Sequence, residues 1–332
     1  MRKINPWMAL VVGSALALAG CGGDGDDGDS SDVPLTAITA DNAAGVSAVV
    51  YQAASALFDV ASSSGTLPLG AVVQSAPGSA GGLGLASFAA RQIKAATRRP
   101  PAAGTGVVAA VYEETFQCAG GGSVTERLND ADDNGVESVG DGLRLTFVNC
   151  VEEGVTSNGV LGFNLTLVSE ASTGAKVTFD NLALNDGTDT IEADGGFNLT
   201  VTENTGVSEL YEIAGETLAS TLNGDRHTIT GFTGSAASDF AAATVTYRFT
   251  GRVSDSSNNI SVDAETVTPF VAQTADDFPG SGTLRSIGAG NSQALLEALS
   301  LTLVLISVDP EGDGSFSAPV EWSWSELEAL AD

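Results

Sequence analysis

Histidine is almost absent from this sequence, and its scarcity narrows the catalytic chemistry that the chain could carry. His227 is the single histidine among 332 residues. A Ser-His-Asp triad or a zinc centre would have to use it, and the chain contains no Gly-x-Ser-x-Gly nucleophile elbow. In NGDRHTITGF it follows a turn, so we expect it at the surface or at a strand edge. The sequence therefore gives little support for a hydrolase, and we expect a protein that is not an enzyme.

Basic residues are scarce as well. The chain has 13 Lys and Arg against 42 Asp and Glu, a formal net charge of −29 at pH 7. Binding to nucleic acid, or to an anionic membrane through a basic face, needs cations that neutralise phosphate, so we expect neither. The apolar fraction of 43% and the 40 glycines are typical of a folded, turn-rich domain rather than a disordered chain.

Apolar residues at the N-terminus form a stretch too short to span a bilayer as a stable helix. The stretch runs from Trp7 to Ala19 and follows Arg2 and Lys3. A basic start followed by a short apolar stretch is typical of an export signal. The sequence therefore predicts an exported protein.

Cysteine occurs three times, and the first one lies at the end of the export signal. The tetrad Leu18-Ala19-Gly20-Cys21 resembles the lipobox of bacterial lipoproteins. The resemblance implies that residues 1–20 are a signal peptide cut before Cys21, whose thiol then carries diacylglycerol and whose amino group is acylated, commonly with palmitate. Gly22 follows the cysteine, where an Asp would imply retention in the inner membrane, so the outer membrane of a Gram-negative bacterium is expected. An ordinary secretory signal with a coincidental cysteine is the alternative.

Residues 21–38 are expected to form a lipidated, acidic tether. GGDGDDGDSSDVP, residues 22–34, is rich in Gly and Asp, and a coil of this kind spans roughly 20 Å. The protein should therefore be anchored to its membrane rather than span it.

The other two cysteines, Cys118 and Cys150, are expected to form a disulfide. An even pair in an exported chain meets an oxidising compartment. A metal-binding or catalytic thiol pair is the alternative, but it lacks further Cys or His nearby.

Residues 39–104 read as a helical segment that packs on a sheet. The first helix is predicted over residues 39–62, with Thr39 as N-cap. Its apolar face is predicted from spacings of three and four and consists of Val46, Val49, Val50, Ala53, Leu57 and Ala61. A second, weaker helix is predicted over residues 83–98.

Residues 105–332 read as an antiparallel β domain. Apolar and polar residues alternate in LGFNLTLV, GFNLTVT and TVTYRFTGRV, and turn signals recur between such stretches. About 12 strands are predicted from residue 107 to 324. LSLTLVLISV, residues 299–308, is apolar without alternation and is interpreted as a strand covered on both faces. The predicted fold is mainly β, a long meander that is curved or barrel-like over one or two N-terminal helices; a β-sandwich is the alternative.

The stretch NDADDNGVESVGD, residues 129–141, resembles the loop of an EF-hand, whose oxygen ligands sit at loop positions one, three, five, seven, nine and twelve. The resemblance assigns Ca²⁺ ligands in this order: Asp130, Asp132, Asn134, the Val136 carbonyl and Asp141. Flanking helices are not predicted, and Asp replaces the usual closing Glu. A calcium site that stabilises the hairpin and a plain acidic hairpin loop are both open interpretations.

The end of the chain, FPGSGTLRSIGAGNSQ together with DPEGDGSFSAPVEWSWSEL, is similar to the tail of uncharacterised β-rich bacterial lipoproteins. That resemblance implies a similar β-fold and no known activity. Taken together, the sequence predicts a lipid-anchored envelope protein that acts as a non-enzymatic binding or structural module. A carrier or chaperone for an apolar ligand such as a lipid is the alternative, and an envelope hydrolase is the second alternative.

Overall fold

The structure, a computed structural model, describes most of the chain after the predicted tether. The described residues are 33–58, 85–97, 111–134, 137–152, 154–185, 187, 190–204, 206–222, 225–274, 276 and 278–331. The predicted signal peptide, Cys21, the predicted tether as far as residue 32 and Val136 lie outside them.

The described residues contain three α-helices, one short 3-10 helix (Ala289–Asn291) and fourteen strands. The helices are α1 (Ala43–Phe58), α2 (Leu85–Thr97) and α3 (Trp324–Glu328). The strands are β1 (Val111–Gln117), β2 (Ser123–Asn129), β3 (Gly142–Glu152), β4 (Val155–Val168), β5 (Ser172–Asn185), β6 (Thr190–Asn204), β7 (Ser208–Leu222), β8 (Asp225–Asp239), β9 (Thr244–Asp255), β10 (Ile260–Gln273), β11 (Ser281–Ile287), β12 (Gln293–Ala298), β13 (Leu303–Asp309) and β14 (Val320–Ser323).

All fourteen strands belong to one antiparallel sheet in which each strand pairs with the next along the chain. The sheet is not closed, because β1 and β14 are its edges. The short connections make sequence neighbours into sheet neighbours, as expected for hairpin-connected strands. The predicted curved meander is thus confirmed as the fold class, with two more strands than the approximate count.

The alternating pattern sets which face of the sheet is buried. In β4, the side chains of Leu161, Phe163 and Leu165 are buried, whereas those of Asn164 and Thr166 are exposed. Because successive side chains of a strand point to opposite faces, one face of the sheet carries the core and the other meets solvent.

The buried face of the sheet curves around α1. This helix contacts β8, β9, β11, β12 and β13 as well as α2 and α3. Strands β8 to β13 would cover roughly 24 Å if they lay flat at ~4.8 Å spacing, about twice the width of a helix. A helix aligned with the strands reaches all of them only if the sheet is concave, and the burial of α1 side chains on several faces fits such an arrangement.

Helix α1 is enclosed more completely than an amphipathic helix would be. The described members of its predicted apolar face, Val46, Val49, Val50, Ala53 and Leu57, are all buried. Ala48, Tyr51 and Ala54, outside that predicted face, are buried too. The helix begins at Ala43 rather than after Thr39, whose carbonyl accepts a hydrogen bond from the Ala43 N–H at 3.0 Å.

The turns lie at two ends of the sheet, which we name by their position. The lower end contains the β1–β2, β3–β4, β5–β6, β7–β8, β9–β10, β11–β12 and β13–β14 connections, and the upper end contains the alternate ones. The described chain enters at the lower end. There, the Thr36 N–H donates to the Ser261 carbonyl at 2.8 Å, and the Ile38 N–H donates to Ser292 Oγ at 2.8 Å.

The interpretation of residues 299–308 as one buried strand is wrong. Strand β12 ends at Ala298 and β13 starts at Leu303, so the first four residues of this apolar run form an upper turn. Leu299 and Leu301 are 46% and 43% exposed there. In β13 itself, buried and half-buried side chains alternate. Apolar composition alone does not separate a buried strand from an exposed apolar turn.

Aromatic side chains close the interior near the upper end. Trp324 is 1% exposed, stacks on Phe278 with ring centroids 5.3 Å apart, and donates from Nε1 to the Ser300 carbonyl at 3.0 Å. Tyr51 of α1 contacts the Trp324 and Phe270 rings. Large aromatic side chains of this kind contribute much of the buried area of a core.

Candidate functional site

The predicted calcium loop connects β2 to β3 at the upper end. The last paired residues below it are Asn129 and Gly142. Asp130, Asp132 and Asp141 each offer a carboxylate oxygen, and these oxygens all lie within 4.8 Å of one another. Folding therefore brings together three of the five predicted ligands. Their all-oxygen chemistry is the kind that Ca²⁺ prefers.

Asp141 organises the loop through both of its carboxylate oxygens. Oδ1 accepts from the Ala131 N–H at 2.8 Å, and Oδ2 accepts from the Ser138 N–H at 2.7 Å. In an EF-hand the closing acid is a bidentate glutamate. Since both Asp141 oxygens already accept backbone hydrogen bonds, a monodentate contact fits this residue better.

Asn134 lies against the carboxylates of Asp130 and Asp132. Its N–H lies 3.3 Å from Asp130 Oδ1, and its Nδ2 donates to Asp132 Oδ2 at 2.7 Å. The amide nitrogen of the side chain thus faces the carboxylates. Its carbonyl oxygen would have to turn towards an ion to act as the predicted ligand. Val136, the predicted carbonyl ligand, lies outside the described residues.

Glu137 occupies a half-buried position beside this cluster. Burial raises the pKa of its carboxyl, and the negative charge of Asp141 raises it further. A nearby cation would oppose both effects because it favours the ionised form. The loop therefore concentrates negative charge where part of it is poorly solvated.

The sulfur atoms of Cys118 and Cys150 lie at disulfide-bonding distance, with Cα atoms 5.4 Å apart. Around them the β1–β2 turn docks on the end of β3: the Gly120 N–H donates to the Val151 carbonyl at 2.8 Å, and the Val151 N–H donates to the Gly121 carbonyl at 2.9 Å. The predicted pairing is thus consistent with the geometry. The pair lies at the lower end and the acidic loop at the upper end, so the two features fasten opposite ends of the β2–β3 hairpin.

His227 is buried, contrary to the expectation of a surface or strand-edge residue. It is 3% exposed, and its Nδ1 lies 3.7 Å from Asp255 Oδ2. Asp255 Oδ1 also accepts from the Ser257 N–H at 2.7 Å, and its Oδ2 accepts from Asn258 Nδ2 at 2.8 Å. Asp255 thus shapes the β9–β10 turn, and a substrate in solvent has no direct access to the histidine.

Comparison of the chain with models of known families, with curated proteins and with solved structures found no match. Among the described residues, none of the helices has the length and apolar character needed to cross a membrane.

Sequence reasoning identified the acidic loop but missed two features of its surroundings. Asp141 looked like a substitute for the closing glutamate, although it also orders the loop backbone. The apolar tips of the other upper turns, described below, were not recognised. The sequence feature that could have predicted them is an aliphatic or aromatic residue next to Ser, Asn, Asp or Ala in several loops.

Proposed function

We propose that this protein is a lipid-anchored protein of the cell envelope, held at the outer membrane of a Gram-negative bacterium, and that it acts as a non-enzymatic binding or structural module. The observation that carries the proposal is the Leu18-Ala19-Gly20-Cys21 tetrad directly after a basic start and a short apolar stretch. Acyl chains contribute about 0.8 kcal/mol per buried methylene. Two or three chains on Cys21 would hold the protein firmly on a bilayer.

The hydrogen bonds of Thr36, near the start of the described residues, support an anchored module. Thr36 is fixed at the lower end by its own N–H and by its hydroxyl, which donates to the Asn259 carbonyl at 3.0 Å. The Thr36 carbonyl accepts from the Ala289 N–H at 3.0 Å. The tether is thus joined to a segment that is hydrogen-bonded to two separate connections of the sheet.

The packing of α1 favours a binding or structural module over a carrier of apolar ligands. A carrier needs a sizeable hollow with apolar walls and an open mouth. Here α1 occupies the concave face of the sheet. A small cavity beside it is lined by Tyr51, Gln52 and Ser55 of α1 and by Leu327 and Glu328 of α3. A hydrolase that used His227 is disfavoured because that side chain is enclosed beside Asp255.

Within this function we assign Ca²⁺ a stabilising role in the β2–β3 loop. Asp130 and Asp132 would be the principal ligands, and Asp141 would contribute one oxygen that it shares with the loop backbone. The clustering of the three carboxylates supports this assignment. The ion would order a hairpin loop rather than take part in a reaction.

Replacement of the lipidation residue tests the proposal. Cells grown with a labelled palmitate analogue should label the wild-type protein, which should fractionate with the outer membrane, whereas the Cys21→Ala variant should lose both properties. The matched control is the double variant Cys118→Ala and Cys150→Ala. It removes the other two cysteines of the mature chain and should keep the label. Label on Cys21→Ala, or an unlabelled wild-type protein in the soluble fraction, would contradict the lipid anchor.

Native mass spectrometry distinguishes the two candidate functions, a binding or structural module and a carrier of apolar ligands. After lipase has removed the ester-linked acyl chains, the purified protein should have the mass of the disulfide-linked chain with its glyceryl thioether and amide-linked acyl group, apart from bound metal that a chelator removes. A retained apolar molecule would favour the carrier instead.

A further inference from the structure

The upper end of the sheet exposes apolar side chains on or beside nearly all of its strand-connecting turns. We call this set the upper rim: Val139, Val168, Val207, Phe240, Leu299 and Leu301, which are 37% to 63% exposed. Every upper connection between β2 and β13 contributes to it except the β10–β11 connection, where Phe278 packs against the core instead. Scattered exposed apolar residues are ordinary on a protein surface, but a contiguous set marks an interaction site.

The turns of the lower end are built from different residues. The β1–β2 turn contains Gly120–Gly122, the β9–β10 turn is SSNN at 256–259, and the β11–β12 connection contains GAGNS at 288–292. Phe316 in the β13–β14 connection and Val320 beside it are exposed apolar exceptions. Both ends connect strands of the same sheet, so hairpin formation does not by itself require apolar tips.

Backbone hydrogen bonds place neighbouring upper turns side by side. The Phe240 N–H donates to the Val207 carbonyl at 3.0 Å, which joins the β8–β9 turn to the β6–β7 turn. In the same way, the Glu203 N–H donates to the Ala171 carbonyl at 2.8 Å, and the Thr274 N–H donates to the Ala243 carbonyl at 2.9 Å. Adjacent hairpins are about 10 Å apart at the strand spacing of a sheet. The apolar tips thus form a row from Val139 to Phe240, which the β10–β11 connection separates from Leu299 and Leu301.

The same turns carry acids. Asp132, Asp133, Glu170, Glu203 and Asp239 lie at or next to the upper connections. In the described residues of these connections there is no Lys, Arg or His. The upper rim is therefore an apolar row flanked by negative charge, and its electrostatic complement is a surface that carries cations.

The rim points away from the place where the tether joins the body. Val33 and Thr36 lie at the lower end, and strands β5 to β8 contain 14 or 15 residues. Strands of that length span on the order of 45 Å. If Cys21 carries the anchor, the rim is the end of the sheet opposite the one that the tether joins.

We propose that the upper rim is a docking surface for a protein partner whose complementary face carries Lys and Arg around an apolar centre. The orientation of the rim rests on the proposed function, because it assumes an anchor on Cys21. A second copy of the chain is disfavoured because two acidic rims would repel each other. A bilayer rich in anionic lipid is disfavoured for the same reason.

The test measures binding of a labelled model peptide made of Leu and Lys in an amphipathic pattern. The acylated protein is held in phosphatidylcholine nanodiscs, and the dissociation constant is read from fluorescence anisotropy at physiological salt. The rim variant is Val207→Ser with Phe240→Ser. The control variant is Val148→Ser with Phe316→Ser, which removes apolar side chains that are 52% and 38% exposed outside the rim. Thermal melting verifies that both variants stay folded.

The proposal expects the rim variant to bind the peptide about tenfold more weakly or worse, while the control variant binds like the wild type. It also expects that a peptide with Ser in place of each Leu binds the rim variant and the control variant with the same affinity. Equal affinity of the rim and control variants would overturn the proposal. So would rim-dependent flotation of the protein with phosphatidylglycerol vesicles in place of peptide binding. If the protein carries no acyl group, the titration is run in buffer without nanodiscs. The test of the rim is then independent of whether the lipid anchor exists.

Discussion

Asp141 orders the backbone of the β2–β3 loop and is also one of the proposed Ca²⁺ ligands. Its two oxygens accept hydrogen bonds from the Ala131 and Ser138 N–H groups, and it lies within carboxylate reach of Asp130 and Asp132. Three carboxylates at such short range repel one another unless a cation or a proton intervenes. The loop geometry is thus held by local hydrogen bonds, while its electrostatics favour a divalent cation.

Calcium should therefore raise the melting temperature, and Asp132 should be required for the rise. At a concentration ten times the dissociation constant, a ligand of the folded state stabilises by about 1.4 kcal/mol, which is a few degrees for a domain of this size. Asp132→Asn should lose most of that increment. Asp133→Asn removes the same charge one residue away and should keep the calcium-dependent rise in melting temperature. Melting curves recorded by circular dichroism in CaCl₂ and in chelator make the comparison; a wild-type curve that is the same in both would identify the loop as only an acidic turn.

Glu137 should make the stability of the protein depend on pH in a defined direction. The folded state raises the pKa of this carboxyl through burial and the Asp141 charge, so its ionised form disfavours folding. The penalty is full above the raised pKa and disappears once the pH is below the ordinary glutamate pKa, because both states are then protonated. In chelator, Glu137→Gln should raise the melting temperature at pH 7, and the gain should shrink as the pH falls through that window.

Glu297→Gln, at an exposed position of β12, is the control. It measures the general benefit of removing an acid from a chain of net charge −29. Its effect should be smaller than that of Glu137→Gln at pH 7. A difference in melting temperature between Glu137→Gln and the wild type that grows as the pH falls would contradict the assignment.

At the scale of elements, the β1–β2 hairpin is fastened to β3 by the Cys118–Cys150 pair and by glycine contacts. A crosslink of sequence separation 32 stabilises by roughly 3 to 4 kcal/mol in the chain-entropy account. Gly122 has φ +72°, and a Cβ built there would lie 1.9 Å from the Asn149 carbonyl oxygen. Close approach of two backbones, rather than the positive φ alone, therefore requires glycine at this position.

Gly122→Ala should be much more destabilising than Gly121→Ala. Gly121 also has a positive φ, +116°, but a Cβ there meets nothing within 4 Å. Backbone strain of about 1 to 3 kcal/mol applies to both, and only Gly122→Ala must also displace β3. Urea unfolding under oxidising conditions measures the free energies of unfolding. Equal losses for the two variants would show that the close contact with Asn149 does not matter.

For the whole molecule, the dominant electrostatic property is self-repulsion. The ion pairs among the described residues include Arg252 with Asp263 and the exposed pair Arg144 with Asp180. Exposed pairs contribute only about 0 to 1 kcal/mol each. Repulsion among the excess acids therefore acts against the compact state.

Salt should accordingly stabilise the protein. Raising NaCl from about 10 mM to about 150 mM shortens the Debye length from roughly 30 Å to roughly 8 Å, which screens repulsion across the surface. The melting temperature in the presence of chelator should rise over this range. A fall would mean that attractive pairs outweigh the repulsion, and the chelator keeps calcium binding out of the comparison.

Much of the fold followed from local patterns. Alternation predicted the strands, turn residues predicted the short connections, and α2 lies within two residues of its predicted bounds. The run from Leu299 to Val308 misled because an apolar turn and a buried strand have the same composition. Burial of His227 was also missed, since its partner Asp255 is brought to it only by pairing of β8 with β9.

The sequence by itself predicted an export signal and determined the cysteine pair, the mainly β character and the acidic loop, because each depends on residues close together in the chain or on composition. Tertiary structure alone decided that the sheet curves around α1, that His227 is buried beside Asp255, and that the apolar tips of separate hairpins line one end. Those outcomes depend on strand register and sheet curvature. Register and curvature arise from packing between distant residues, so no local pattern contains them.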